Sequence, residues 1–237
     1  MLLLHSITED LHAWDTFVPE LARDAPIVRL DFSGHGGSSP LLHYSVYSLA
    51  EAVARFMDAE GLVRPRLIGH SLGGIVATVV ALLRPVRSVF NVDQSLRLGS
   101  FIDVVRGIAP ALADHRFCEA MNAEMDKLGG PALPEDVRQE LSRYRVMERQ
   151  KVVTDMWLPI ANLTKEAVLA GFLPTLEKVR VPYLSLHGDS PGPAYATWLA
   201  SVIPGARTEV WPGLGHWLHR VEPTRFLDRV RIFHTNN

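Results

Sequence analysis

Short apolar runs that recur between longer helical patterns constrain this 237-residue chain more than any other feature. Residues 2–4, 27–30, 66–68, 88–92, 183–186 and 208–211 read as buried strands. Helical patterns occupy 11–23, 46–60, 72–83, 194–203 and 221–233. Strands that each lead into a helix need crossover connections, so the order predicts a doubly wound α/β fold with a parallel sheet between helices. Between about 95 and 176 the rhythm breaks. Pro110, Gly129-Gly130-Pro131, Pro134, Pro159 and Pro174 separate helix-like segments such as 135–150, and no strand-like alternation is present. The expectation is a core of 1–94 and 177–237 with a helical cap of 95–176 over one end of the sheet.

Composition narrows the classes. With 47% hydrophobic and 21% charged residues, the chain can bury a substantial core. Its 24 Lys and Arg against 26 Asp and Glu leave a formal charge of −2. Without runs of like charge, no nucleic-acid or membrane partner is expected. Cys118 is the single cysteine, so neither an internal disulfide nor a CxxC site can be built. No apolar run reaches the roughly 18 residues of a membrane span. A soluble cytoplasmic monomer or homodimer is expected.

The segment "RLIGHSLGG" runs from a strand through Gly69-His70-Ser71-Leu72-Gly73 into a helix. A tight strand-to-helix turn of this kind needs small residues at 69 and 73, and it lifts Ser71 above the sheet as a candidate nucleophile. The Leu72 N–H then points from a helix N-terminus toward a developing oxyanion. The competing reading is a serine that only caps a helix between two packing glycines. In "LLLHSI" the chain leaves a strand sharply, which offers the Ile7 N–H as second oxyanion donor, with His5 and Ser6 serving backbone groups in the turn. Among ten histidines the best-placed base is His216, in the glycine-rich loop "WPGLGHW" after the last strand. His219 reads as a structural partner, and His35 and His70 as residues of turns.

"LLLHS" with Trp14 nine residues after His5, then "LDFSGHGGSS", "LIGHSLGG", "LSLHGD" and "GLGHWLHRVEP", stand in the order and at the spacings of α/β-hydrolase-fold serine hydrolases. The chain resembles that family along nearly its whole length. Its first third, "HSITEDLHAWDTFVPELARDAPIVRLDFSGHGGSS", is similar to 3-oxoadipate enol-lactone hydrolases, which often carry His-Ser where most relatives have His-Gly. The resemblance implies an α/β-hydrolase fold with a mostly parallel sheet, a Ser-His-Asp triad and an acyl-enzyme, with no cofactor and no metal. Two departures stand out: the family's first two strands have no counterpart ahead of Leu2, and Ser33 stands where an arginine is common.

The family usually takes its acid from the loop after the next-to-last strand, in a pattern Gly-Asp-x-Asp. Here that loop reads Gly188-Asp189-Ser190-Pro191, with proline at the position of the second aspartate. Asp93, after the strand that follows the Ser71 helix, is the favoured acid, as in relatives such as haloalkane dehalogenases. Asp189 is the alternative, and it can also be read as a residue that only ties its own turn.

The implied activity is hydrolysis of a small-molecule carboxylic ester or lactone, as an esterase or lactonase, on a small to medium hydrophobic substrate. Alternatives are C–C bond hydrolysis or perhydrolysis by the same triad, or a non-catalytic ligand-binding role. In the cap, Phe101, Phe117, Met121, Met125, Met147, Met156, Trp157 and Leu158 are candidates to line an acyl pocket, though each taken singly reads as packing.

Overall fold

The structure, a computed structural model, describes residues 1–145 and 149–235, and at 144 and 145 the backbone alone. Among these residues the strands are β1 (Leu2–Leu4), β2 (Val28–Leu30), β3 (Arg66–His70), β4 (Ser88–Val92), β5 (Tyr183–His187) and β6 (Arg207–Val210). They form one sheet in the order β2-β1-β3-β4-β5-β6. Every neighbouring pair among them is parallel, in keeping with the expected α/β architecture.

Strand sequence follows from two-sided burial. All residues of β1, β4 and β5 are buried, which is why these runs are apolar rather than alternating. The period of two then sends successive side chains to opposite layers. Leu2 and Leu4 pack with helices α2 (Val46–Ala59) and α3 (Leu72–Leu83). Leu3 packs with Trp14 and Phe17 and with Phe226 and Phe233 of α11 (Pro223–Thr235).

Three local expectations are corrected. The pattern over 11–23 forms a 3-10 turn (Leu11–Trp14) and a one-turn helix α1 (Val18–Leu21). Pro19 explains the break: it has no N–H to continue a helix and sits in the first turn of the new one. By the same logic the helix expected over 221–233 is divided, α10 (Leu218–Val221) ending before α11 begins at Pro223. His70 is the last residue of β3, not part of a turn.

Between β4 and β5 lie α4 (Gly99–Leu112), α5 (Phe117–Gly129), α6 (Glu135–Arg145), α7 (Gln150–Ala161) and α8 (Lys165–Leu176). Pro110, Pro159 and Pro174 lie inside α4, α7 and α8 rather than between helices. Each helix ends two residues later, within the turn that the missing N–H weakens. After β5 comes α9 (Tyr195–Val202). No described helix is long and apolar enough to cross a membrane.

Candidate active site

Ser71 occupies the turn between β3 and α3 with φ 53° and ψ −119°, a conformation that costs a non-glycine residue about 1–3 kcal/mol. Neighbouring backbone holds it there. The Ser71 N–H donates to the Val92 carbonyl on β4 at 2.9 Å, and the Ser71 carbonyl accepts from the Gly74 N–H at 2.8 Å. The flanking glycines are a steric requirement: a Cβ on Gly69 would overlap the Gly73 carbonyl, and one on Gly73 the Leu4 carbonyl. Leu72 is the first residue of α3, so its N–H has no intrahelical acceptor.

Asp93 follows β4 and also takes a positive φ, 52°. Its N–H donates to the Leu186 carbonyl at 2.7 Å, and its Oδ1 accepts from the Gly188 N–H at 2.8 Å. Its Oδ2 lies 2.6 Å from His216 Nδ1. Because an ionised carboxylate only accepts, Nδ1 is the nitrogen that donates, and Nε2 is the one left to face the serine turn. Burial alone would push the Asp93 carboxyl up, but the hydrogen bond and charge of His216 and the Gly188 N–H outweigh it and hold the group below the usual range.

The His216 backbone is fixed at both ends. Its N–H donates to the Leu128 carbonyl on α5 at 3.0 Å, and its carbonyl accepts from His70 Nε2 at 2.9 Å. The His70 and His216 rings lie with centroids 4.7 Å apart, which sets the histidine loop directly beside the residue preceding Ser71. Asp189 is elsewhere: its Oδ1 accepts from the Gly213 N–H at 3.2 Å, tying the exposed turn.

Other histidines take structural places. His5 accepts from the Phe32 N–H at 3.0 Å and donates to the Ser6 carbonyl at 2.7 Å, as expected of a turn residue. His35 reaches the Ile7 carbonyl at 2.9 Å, and His219 is buried against Trp14 and Phe17. The residue that sequence reasoning passed over is His187. Its Nδ1 lies 3.8 Å from Asp93 Oδ1, and its Nε2 meets Ser185 Oγ at 2.7 Å. Burial lowers its pKa to about 4, against the opposing pull of the Asp93 charge. Its signal is the histidine of "LSLHGD", which the motif by itself gives no role.

Ser71, Ile7 and Leu72 border one cavity of about 150 Å³, whose other walls include Val46, Ile75, Gln94, Leu98, Phe101, Met156, Trp157 and Ile160. Phe101 and Trp157 meet edge to face, 4.9 Å between centroids at 87°. Of the cap candidates, Phe101, Met156 and Trp157 face this cavity. Phe117, Met121 and Met125 are buried in packing, and Leu158 is packed against the same core. Met147 lies outside the described residues. No cluster of three or more His, Cys, Asp or Glu that could hold a metal ion exists among the described residues.

Comparison with known proteins fits this geometry. An 88-residue segment is 40% identical to the dihydrolipoyllysine-residue acetyltransferase component of the acetoin cleaving system of Cupriavidus necator, covering 37% of this chain and only 24% of that protein. The sn-1-specific diacylglycerol lipase ABHD11 of Mus musculus is 25% identical over 87% of this chain and 71% of its own length. Among solved structures, the enol-lactonase from Burkholderia xenovorans LB400 superposes with a TM-score of 0.77 at 22% identity, covering 99% of this chain and 90% of that one. The family model of the alpha/beta hydrolase fold matches residues 1–223, the stretch that carries the strained serine turn, the Asp93 loop and the His216 loop, and the chain belongs to that family.

Proposed function

We propose that the protein hydrolyses carboxylic esters or lactones through an acyl-enzyme on Ser71, with His216 as base and Asp93 as the acid that orients it. The observation that carries the proposal is the 2.6 Å contact between Asp93 Oδ2 and His216 Nδ1, one side of a loop whose other side adjoins the Ser71 turn. His216 Nε2 takes the proton from Ser71 Oγ as Oγ attacks the carbonyl. The Ile7 and Leu72 N–H groups hold the oxyanion of the tetrahedral intermediate. Collapse expels the alkoxide, which takes the proton back from Nε2. Water, deprotonated by the same nitrogen, then releases the acid from Ser71.

The cavity argues for a neutral acyl group. Its described lining offers Gln94 and Ser71 as polar side chains and no charged one. A carboxylate on the acyl chain would lose its hydration there with no counter-charge to offset it. Esterase and lipase relatives such as the Mus musculus lipase lend support to ester cleavage.

The test compares wild type with Ser71→Ala on nitrophenyl acetate, butyrate, hexanoate and succinate mono-ester, with lactones and a vinylogous diketone in the same panel. Ser71→Ala is expected to lose a factor of about 10⁵–10⁶ in kcat, as nucleophile removal does elsewhere. Wild type is expected to favour butyrate and hexanoate over the succinate. Retained turnover in Ser71→Ala defeats the proposal.

A further inference from the structure

One carboxylate outside the proposed triad touches all three site loops. Glu9, 1% exposed, accepts at Oε1 from Trp217 Nε1 at 2.7 Å and at Oε2 from the Ser6 N–H at 3.2 Å. The same Oε2 stands 3.5 Å from His70 Nδ1. Each of these partners is the chain neighbour of a residue given a role above: Ser6 precedes Ile7, His70 precedes Ser71 and Trp217 follows His216. His70 closes the circuit, since its Nε2 donates to the His216 carbonyl.

We propose that Glu9 is a positioning residue that holds the oxyanion, nucleophile and base loops in register, accepting from the Ser6 N–H and Trp217 Nε1 and standing against His70 Nδ1. The inference rests on the roles assigned to Ile7, Ser71 and His216. Burying a carboxylate costs several kcal/mol even in a real protein interior, and an apolar residue of similar volume would often be as stable or more so. A buried charge is therefore a poor way to gain stability alone, whereas contacts that run from the Ser6–Glu9 turn to His70 and to Trp217 fix the relative positions of the three segments. Burial pushes the Glu9 carboxyl up, yet its contacts with His70 and Trp217 more than offset it and hold the group below the usual carboxylate range. A triad displaced by as little as 1 Å loses about 10²-fold in rate, so the positional role has a kinetic signature separate from folding.

The experiment uses the whole chain with Glu9→Leu, Glu9→Gln and Trp217→Phe, measuring Tm, kcat and KM on nitrophenyl butyrate and the rate at which a small neutral phosphonate labels Ser71. Glu9→Leu is expected to lower kcat and the labelling rate by about 10²-fold with KM within about twofold. Glu9→Gln keeps an acceptor for Trp217 Nε1 and is expected to recover most of that loss. Trp217→Phe removes one donor from an otherwise similar ring and is expected to lower both rates by about tenfold. If Glu9→Leu does not fold, Trp217→Phe decides alone. Variants with lowered Tm but wild-type kcat and labelling overturn the positioning role. A wild type that neither turns over nor labels overturns the hydrolase reading, and the positioning role falls with it.

Discussion

At the carboxyl ends of the strands, Ser71 and Asp93 both stand at positive φ, while across the cavity Phe101, Met156 and Trp157 sit on α4 and α7. The first pair is held by backbone strain that neighbouring strands enforce through the Val92 and Leu186 carbonyls. The second group is held by side-chain packing alone, of which the edge-to-face Phe101–Trp157 pair contributes about 0.5–1.5 kcal/mol beyond its buried area. Strain tolerates almost no substitution; packing tolerates many. Under the proposed function, chemistry falls to the sheet ends, and the helices between β4 and β5 contribute to selection of the acyl group.

The strongest challenge to this division is Asp93→Asn, which leaves the shape of the sheet end and removes the charge facing His216. A loss of about 10⁴-fold in kcat is expected on every acyl length, by analogy with a triad acid. Asp189→Asn, which only loosens the bond to the Gly213 N–H, is expected to stay within a few-fold. Steady-state kinetics on both variants reads this directly, and the reverse ranking would move the acid role to the β5 loop.

Acid should destabilise the fold through histidines buried in the sheet half. His5, His35, His187, His219 and His234 are all buried there with lowered pKa values, about 4 for His35 and His187 and about 3 for His234. In each case burial is the largest cause. The unfolded chain takes up protons on these groups as pH falls below about 6.5, and the folded chain does not. Stability is therefore complete above about 6.5 and is lost toward the folded values, at about 1.4 kcal/mol per pH unit for each such histidine. Thermal melts between pH 7 and 5 should show a steep fall in Tm; a flat profile would contradict it.

Within the cap, Trp157→Ala is expected to lower kcat/KM on a hexanoate ester by about tenfold and to leave an acetate ester nearly unchanged, since a lost apolar contact costs about 1–3 kcal/mol. An equal loss on both esters would place Trp157 in the chemistry and blur the division. The smallest effect comes from a glycine in the helices, set against one in the serine turn that admits no change. Gly107, inside α4 with nothing near its would-be Cβ, should accept alanine and gain up to about 1 kcal/mol, read as a higher Tm. Gly73→Ala should fail to give stable protein, because its Cβ would overlap the Leu4 carbonyl.

The sheet was legible because β1, β4 and β5 are buried on both faces and so write themselves as unbroken apolar runs. The serine turn was legible because its glycines answer to local sterics. Asp93 came into view through the proline at 191, a residue-level departure that pointed away from Asp189. Glu9 was not legible. Its partners are its own-turn neighbour Ser6 and the distant His70 and Trp217, and no pattern along the chain distinguishes an acid with two distant partners from one in a solvated turn. Nor could the sequence separate Phe101 and Trp157, which face the cavity, from Phe117 and Met121, which do not, since apolar helix positions look alike until the helices cross.

The bond from the His216 N–H to the Leu128 carbonyl joins the proposed base to the end of α5. Caps on this fold cannot then be exchanged as independent modules here. A chimaera that imports another relative's cap discards the backbone acceptor of its own histidine loop, and its turnover will change along with its substrate preference unless a carbonyl is rebuilt at that point.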